Sequence, residues 1–152
     1  MFLVFAALAV PAVVLAKASH AGWPTIDGVL RVNRHDLDKE SHGTANRHNE
    51  LLGGHGNDVI HAGNAGDVIW GDYKPCCQPP GQSDVLVGGS GKDFIYTSHG
   101  QNIVWTGGGP DVVHTHFGRG EIHCQSADAT VLVSHHSKRA YRLFGCLRVR
   151  LG

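Results

Sequence analysis

The sequence predicts an all-β solenoid, a thin stack of short strands joined by glycine turns. Three observations carry that reading. A nine-residue unit recurs through the middle of the chain, each unit sets an aliphatic residue at the same place, and glycine supplies 21 of 152 residues. A period of nine is the signature of a repeat architecture. Glycine at this level is too frequent for an ordinary helical or α/β domain, and it does not fall at every third residue as collagen requires. The length suits one domain with a modest core. Lysine plus arginine, 13, equal aspartate plus glutamate, 13, which argues against a general polyanion binder. The 12 histidines would make the chain basic in acid.

The elements follow in chain order. An apolar run from Phe2 to Ala16 is followed by small residues, and no lysine or arginine precedes it. The run reads as the core of an export signal and is short for a membrane span. Residues 1–21 are therefore expected to be a signal peptide, cleaved after Ala16 or Ala21, giving a secreted or cell-surface protein with no membrane segment after cleavage. Residues 22–43 are expected to form an N-terminal cap or strand segment. Residues 44–123 carry the repeats, with an insertion at 71–78, and residues 124–152 form a C-terminal cap.

Aligned on an acid at the sixth place, the copies read TANRHNELL from Thr44, GGHGNDVIH from Gly53 and AGNAGDVIW from Ala62. After the insertion GDYKPCCQ come PPGQSDVLV, GGSGKDFIY, TSHGQNIVW, TGGGPDVVH and THFGRGEIH, and the degenerate CQSADATVL closes the series. Early glycines allow a tight turn, the acid ends it, and three residues then make a short strand whose central side chain points inward. Ile60, Ile69, Leu86, Ile95, Val104, Val113 and Ile122 should form one aliphatic column.

This unit resembles the RTX, or haemolysin-type, calcium-binding repeat G-G-x-G-x-D-x-U-x, from about Thr44 to His123. The resemblance implies a right-handed parallel β-roll in which two copies make one turn, strands alternate between two sheets, and calcium lies between turns stacked on the same edge. It implies as ligands the acids Asp58, Asp67, Asp84, Asp93 and Asp111 with Asn49. It adds the carbonyl-bearing turns at Gly53, Gly54, His55, Gly56, Gly63, Gly88, Gly89, Gly91, Gly107 and Gly109. A hard cation wants several oxygens, and glycine turns expose carbonyls that strands cannot spare. Without calcium, stacked carboxylates repel and the roll should loosen. Alternation puts Asn49, Asp67, Asp93 and Asp111 on a first edge and Asp58, Asp84, Asn102 and Gly120 on a second. The first edge should hold the fuller calcium row, and the second should stop after Asp84. His99 and His116 should lie near each other there, as packing residues in preference to a transition-metal pair.

Seventh and ninth places point outward. They set Trp70, Tyr96 and His114 in one ladder beside Phe94, and Trp105 on the opposite sheet. Faces this apolar need either a cover or mutual stacking. The cover is the N-terminal stretch, the C-terminal stretch or a second subunit. At the C-terminus, Thr130–Ser134 and Ala140–Phe144 read as a β-hairpin cap, bracketed by Cys124 and Cys146, which an exported chain can bridge. Adjacent Cys76 and Cys77 leave open a vicinal bond, two thiols or an intersubunit bond. The stretches HNELLGGHGND, VIWGDY, HFGRG and VSHHSKRAYRL resemble a group of secreted actinobacterial RTX-repeat proteins, which implies a fold and calcium but no activity.

No nucleophile elbow, zinc-protease helix motif or nucleotide loop occurs, and no basic–aromatic face suits nucleic acid. The sequence therefore points to an exported, non-catalytic calcium-binding roll with a structural role, self-associating into an oligomer or fibre. The alternative is a binding module whose Trp70, Tyr96, Phe94 and Trp105 meet a glycan, such as a cell-surface polymer, or a protein partner.

Overall fold

The structure is a computed structural model that describes residues 23–33, 37–73, 76–77, 79 and 81–152. The expected signal segment, with its cleavage after Ala16 or Ala21, lies outside them. Among the described residues no helix is long and apolar enough to cross a membrane.

Every regular element among the described residues is a strand. One sheet contains β1 (Leu30–Val32), β3 (Glu50–Leu52), β5 (Val68–Trp70), β7 (Phe94–Tyr96), β9 (Val112–Thr115), β11 (Thr130–Val133) and β13 (Arg148–Leu151), in that spatial order. The other contains β2 (Lys39–His42), β4 (Asp58–His61), β6 (Ser83–Val87), β8 (Gln101–Trp105), β10 (Arg119–His123) and β12 (Tyr141–Phe144), again in order. All pairings are parallel. Odd strands build one sheet and even strands the other, so each pair of units closes one coil of a β-solenoid, as expected for a β-roll.

Register follows the eighth place. Ile69 pairs with Ile95 and Ile95 with Val113 in one sheet, and Ile60 with Leu86 and Leu86 with Val104 in the other. All seven expected core residues are buried, and Leu51 and Val131, at the eighth place of the two most degenerate copies, join them. Because the pleat has a period of two, only alternate residues reach this column.

The solenoid outruns the repeats at both ends. The N-terminal segment forms a further coil, with β1 on β3 and β2 on β4. The expected C-terminal β-hairpin is corrected. Its two strands exist, but β11 pairs with β9 and β13 while β12 pairs with β10 in the opposite sheet. Val131 and Val133 are buried and Leu143 packs on the core, so both strands feed the same column from opposite sides. A hairpin would have left β10 paired with β8 alone, its other edge open. Ser137 fixes the crossover: its hydroxyl lies 2.9 Å from Thr115 Oγ1, and Ala140 N donates to its carbonyl at 2.9 Å. The Cys124–Cys146 disulfide forms, with Cα atoms 5.0 Å apart. It ties the end of β10 to the residue pair beyond β12.

The insertion leaves the frame intact and starts later than 71. Gly71 still occupies the coil, with Gly53 N donating to Trp70 O at 2.8 Å and Gly71 N to Tyr96 O at 3.1 Å. Asp72 is buried beside it. The bulge leaves the coil after Tyr73 and returns at Gln82, whose Nε2 donates to Asp72 Oδ2 at 2.8 Å.

Candidate calcium-binding edges

The turns between strands form two edges, and each acid occupies a repeated hydrogen-bonding position. One carboxylate oxygen accepts from the backbone N–H of the corresponding residue one coil earlier: Asn49 N to Asp67 Oδ1 at 2.6 Å, Asp67 N to Asp93 at 2.8 Å, and Asp93 N to Asp111 at 2.8 Å. The second oxygen accepts from the turn four residues back, as Gly89 N to Asp93 Oδ2 at 2.7 Å. The predicted first edge is therefore assembled in the predicted order. On the second edge Asp58 N donates to Asp84 Oδ1 at 2.9 Å, and Gly54 N to Asp58 Oδ2 at 2.9 Å.

These carboxyls are buried, and burial pushes every one of them up. Asp84 and Asp93 rise to about 7 and Asp58 and Asp111 to about 6; Asp67 is also raised. Backbone donors oppose the shift at Asp93, while its column neighbours Asp111 and Asp67 add to it. A column of desolvated acids calls for a cation or for protons.

The turns supply the remaining oxygens. Gly89 and Gly109 stack so closely on the coil before that a Cβ would overlap the carbonyl oxygens of Gly63 and Gly91 respectively. The first edge is thus a cradle of backbone carbonyls beside Asp67, Asp93 and Asp111. Asp111 Oδ2 is buried with no hydrogen-bond partner. Gly107 N, which the pattern would aim at it, donates instead to Gln125 Oε1 at 2.9 Å. Among the described residues no three His, Cys, Asp or Glu side chains converge on one metal position, so an ion here must draw largely on backbone carbonyls. That donor set is all oxygen, as a hard cation requires.

Several expected site residues take other roles. Asn49 closes the first edge: its Oδ1 accepts from Val29 N and Thr44 N, both at 3.0 Å, and its Nδ2 donates to Asp67 Oδ1 at 2.8 Å. Both acceptor positions are in use, which leaves no lone pair for a cation. His55 is buried on the second edge, its Nε2 3.9 Å from Asp72 Oδ1. His99 stacks on Phe117 at 4.3 Å, whereas His116 lies 5.9 Å from His114. His99 is thus a packing residue, whereas His116 is exposed.

The second edge also contains groups that the repeat alignment passes over. Asp72, inside the expected insertion, raises the pKa of both Asp58 and Asp84 by its charge. Beyond Asp84 the acids stop, and hydrogen bonds fill the space. Ser98 Oγ donates to Asp84 Oδ2, and Asn102 Nδ2 donates to Ser98 O at 2.9 Å and to Tyr141 Oη at 3.0 Å. Tyr141 Oη in turn donates to Phe117 O at 2.9 Å, and burial pushes the phenol up to about 12.

The model of the RTX calcium-binding nonapeptide repeat, in four copies, matches residues 45–72 and 81–113. The chain carries RTX calcium-binding repeats. The matched RTX segments are the ones that build both acid columns, and their cofactor is calcium. Neither the curated proteins nor the solved structures contain a match to the chain.

On the outer face of the first sheet, Trp70, Tyr96 and His114 form a continuous ladder at 4.4 and 4.5 Å. Trp23 covers it, 6.3 Å from Trp70 and 5.6 Å from Tyr96, with its Nε1 donating to Tyr96 Oη at 2.9 Å. Trp70 and Tyr96 are therefore capped by the N-terminal stretch, one of the covers the sequence allows. Phe94 lies beneath Lys92 Nζ at 5.2 Å. Trp105, on the opposite sheet, remains 39% exposed and continues into a ladder with His123 and Phe144 at 4.0 and 4.6 Å.

Proposed function

We propose that the protein is an exported, non-catalytic β-roll in which calcium ions consolidate the edges, with a structural, self-assembling role at the cell surface or outside the cell. The buried column Asp67–Asp93–Asp111 against carbonyl-lined turns is the observation that carries this reading. Asp67, Asp93 and Asp111, with the carbonyls of Gly63, Gly89 and Gly91, hold the fuller calcium row. Asp58, Asp72 and Asp84, with the Gly53–Gly56 turn, hold a shorter second row, and the Ser98–Asn102–Tyr141 network ends it. Bound calcium supplies positive charge to carboxyls that are otherwise desolvated and mutually repelling.

Self-assembly rests on the two ends. The terminal strand β13 exposes Val149 and Leu151, and Leu147 precedes it, 76% exposed. A solenoid end of this kind invites another strand. If β12 of one copy continued onto β2 of the next in the same register, Arg142 would meet Glu40 and Phe144 would stack on His42. Sedimentation velocity in calcium tests this: the coefficient should climb with concentration. Glu40→Arg should suppress the climb and Glu40→Arg with Arg142→Glu should restore it. A monomer persisting at high concentration overturns the assembly.

The second reading, a binding module, is favoured by the exposed Trp105–His123–Phe144 ladder. It expects a calcium-bound monomer whose retention on cell-wall polymers is lost in Trp105→Ala.

A further inference from the structure

Cys76 and Cys77 lie on the bulge that leaves the second edge after Tyr73, and the calcium-binding account makes no use of them. Both are exposed thiols, with Cys77 Sγ donating to Cys76 Sγ at 3.1 Å. Cys77 holds a φ of 64°, in the left-handed region. That conformation is uncommon for any residue other than glycine, asparagine, aspartate or histidine, and strain of this kind gathers at functional positions. The roots of the bulge are fixed. Tyr73 N donates to Gly53 O at 3.1 Å, and Gln82 is bonded to buried Asp72 at 2.8 Å. The chain therefore displays two neighbouring sulfurs on a loop anchored to the roll.

The two cysteine pairs differ in kind. Cys124 and Cys146 have Cα atoms 5.0 Å apart, inside the range that disulfides favour. Adjacent residues are held at about 3.8 Å by the peptide unit, below that range. A bond between Cys76 and Cys77 therefore opens more readily than the Cys124–Cys146 bond, and strained, exposed disulfides are the labile ones.

We propose that Cys76 and Cys77 form a reversible thiol–disulfide exchange site that reacts with low-molecular-weight disulfides and closes to a vicinal Cys76–Cys77 disulfide. One thiolate attacks a sulfur of the small disulfide, forming a mixed disulfide and expelling one small thiolate. The neighbouring thiolate then attacks the protein sulfur of that mixed disulfide and expels the second small thiolate. The protein loses two thiol protons and two electrons, and the small disulfide gains both and becomes two thiols. The second step is intramolecular with its partner sulfur already adjacent, so it outruns capture by another molecule. Calcium takes no part in the chemistry.

The test treats the full calcium-bound chain, with Cys124–Cys146 intact, with oxidised glutathione at pH 8, and follows thiol titration, intact mass and non-reducing peptide mapping. The thiol count should fall from two to zero. The mass should drop by two hydrogens with no glutathione retained, the protein should stay free of disulfide-linked dimer, and dithiothreitol should restore both thiols. Cys77→Ser should stop at a stable glutathione adduct on Cys76. A stable glutathione adduct on the unaltered chain, a disulfide-linked dimer, or persistence of both thiols overturns the proposal.

Discussion

Asp93 shows at one residue what the roll requires. Its carboxylate accepts Asp67 N on one oxygen and Gly89 N on the other. Burial still drives its pKa to about 7 from 3.8, because two hydrogen bonds do not replace bulk water and the neighbouring Asp111 and Asp67 repel it. Asp93→Asn deletes the charge and keeps one of the two acceptor oxygens, so its Nδ2 would face a backbone N–H. We expect calcium affinity to fall at least about tenfold by calorimetry, the loss of one charged oxygen ligand. Core residues answer to different physics. Ile95 is completely buried in the aliphatic column, so Ile95→Ala should cost about 3 kcal/mol in denaturant unfolding with calcium present. The two acidic columns were legible because acid and glycine recur at fixed places. Asp72 was not, because it stands in a stretch that breaks the period. Only its burial and its bond to Gln82 return it to the site.

Strand by strand, the nine-residue frame gave the register directly, since a slip of one residue would turn the aliphatic column to solvent. It also predicted the order of both edges across an insertion, because Val68 still meets Phe94 and Val59 still meets Val85. The C-terminal strands were legible as strands and not as partners. Two apolar runs flanking a polar turn have the same local pattern in a hairpin and in a coil. What decides is the core beyond them, which takes Val131 and Val133 from one strand and Leu143 from the other. Asn49 illustrates the same limit: its place in the frame suggested a ligand, while its Oδ1 is taken up by Thr44 N of its own copy and by Val29 N of the coil that precedes the repeats. The disulfide belongs to this scale. It closes a 22-residue separation across one full coil, so Cys124→Ser with Cys146→Ser should lower stability by about 3 kcal/mol, the loop-closure value, read in denaturant with calcium present.

For the whole molecule, the raised carboxyls fix the sign of the pH response. Their folded pKa values, about 6 to about 7, stand above the unfolded value of 3.8. Between about pH 4 and pH 7 the folded chain therefore holds more protons than the unfolded chain, and stability falls as pH rises. The calcium-free protein should therefore hold more β structure at pH 5 than at pH 8, read by circular dichroism. Saturating calcium should remove that loss at pH 8, and proton competition should weaken calcium binding at pH 5. The opposite order in the calcium-free protein would mean that the carboxyls are less desolvated than their packing indicates. The most direct test of the account is a calcium titration of the chelated chain at pH 8, followed by circular dichroism. We predict a weak β signal in chelator and a cooperative gain as calcium rises towards about millimolar, the range of extracellular calcium modules. An unchanged β signal and unchanged melting temperature in chelator and in calcium would contradict it, and would make the aspartates turn caps in a metal-independent solenoid.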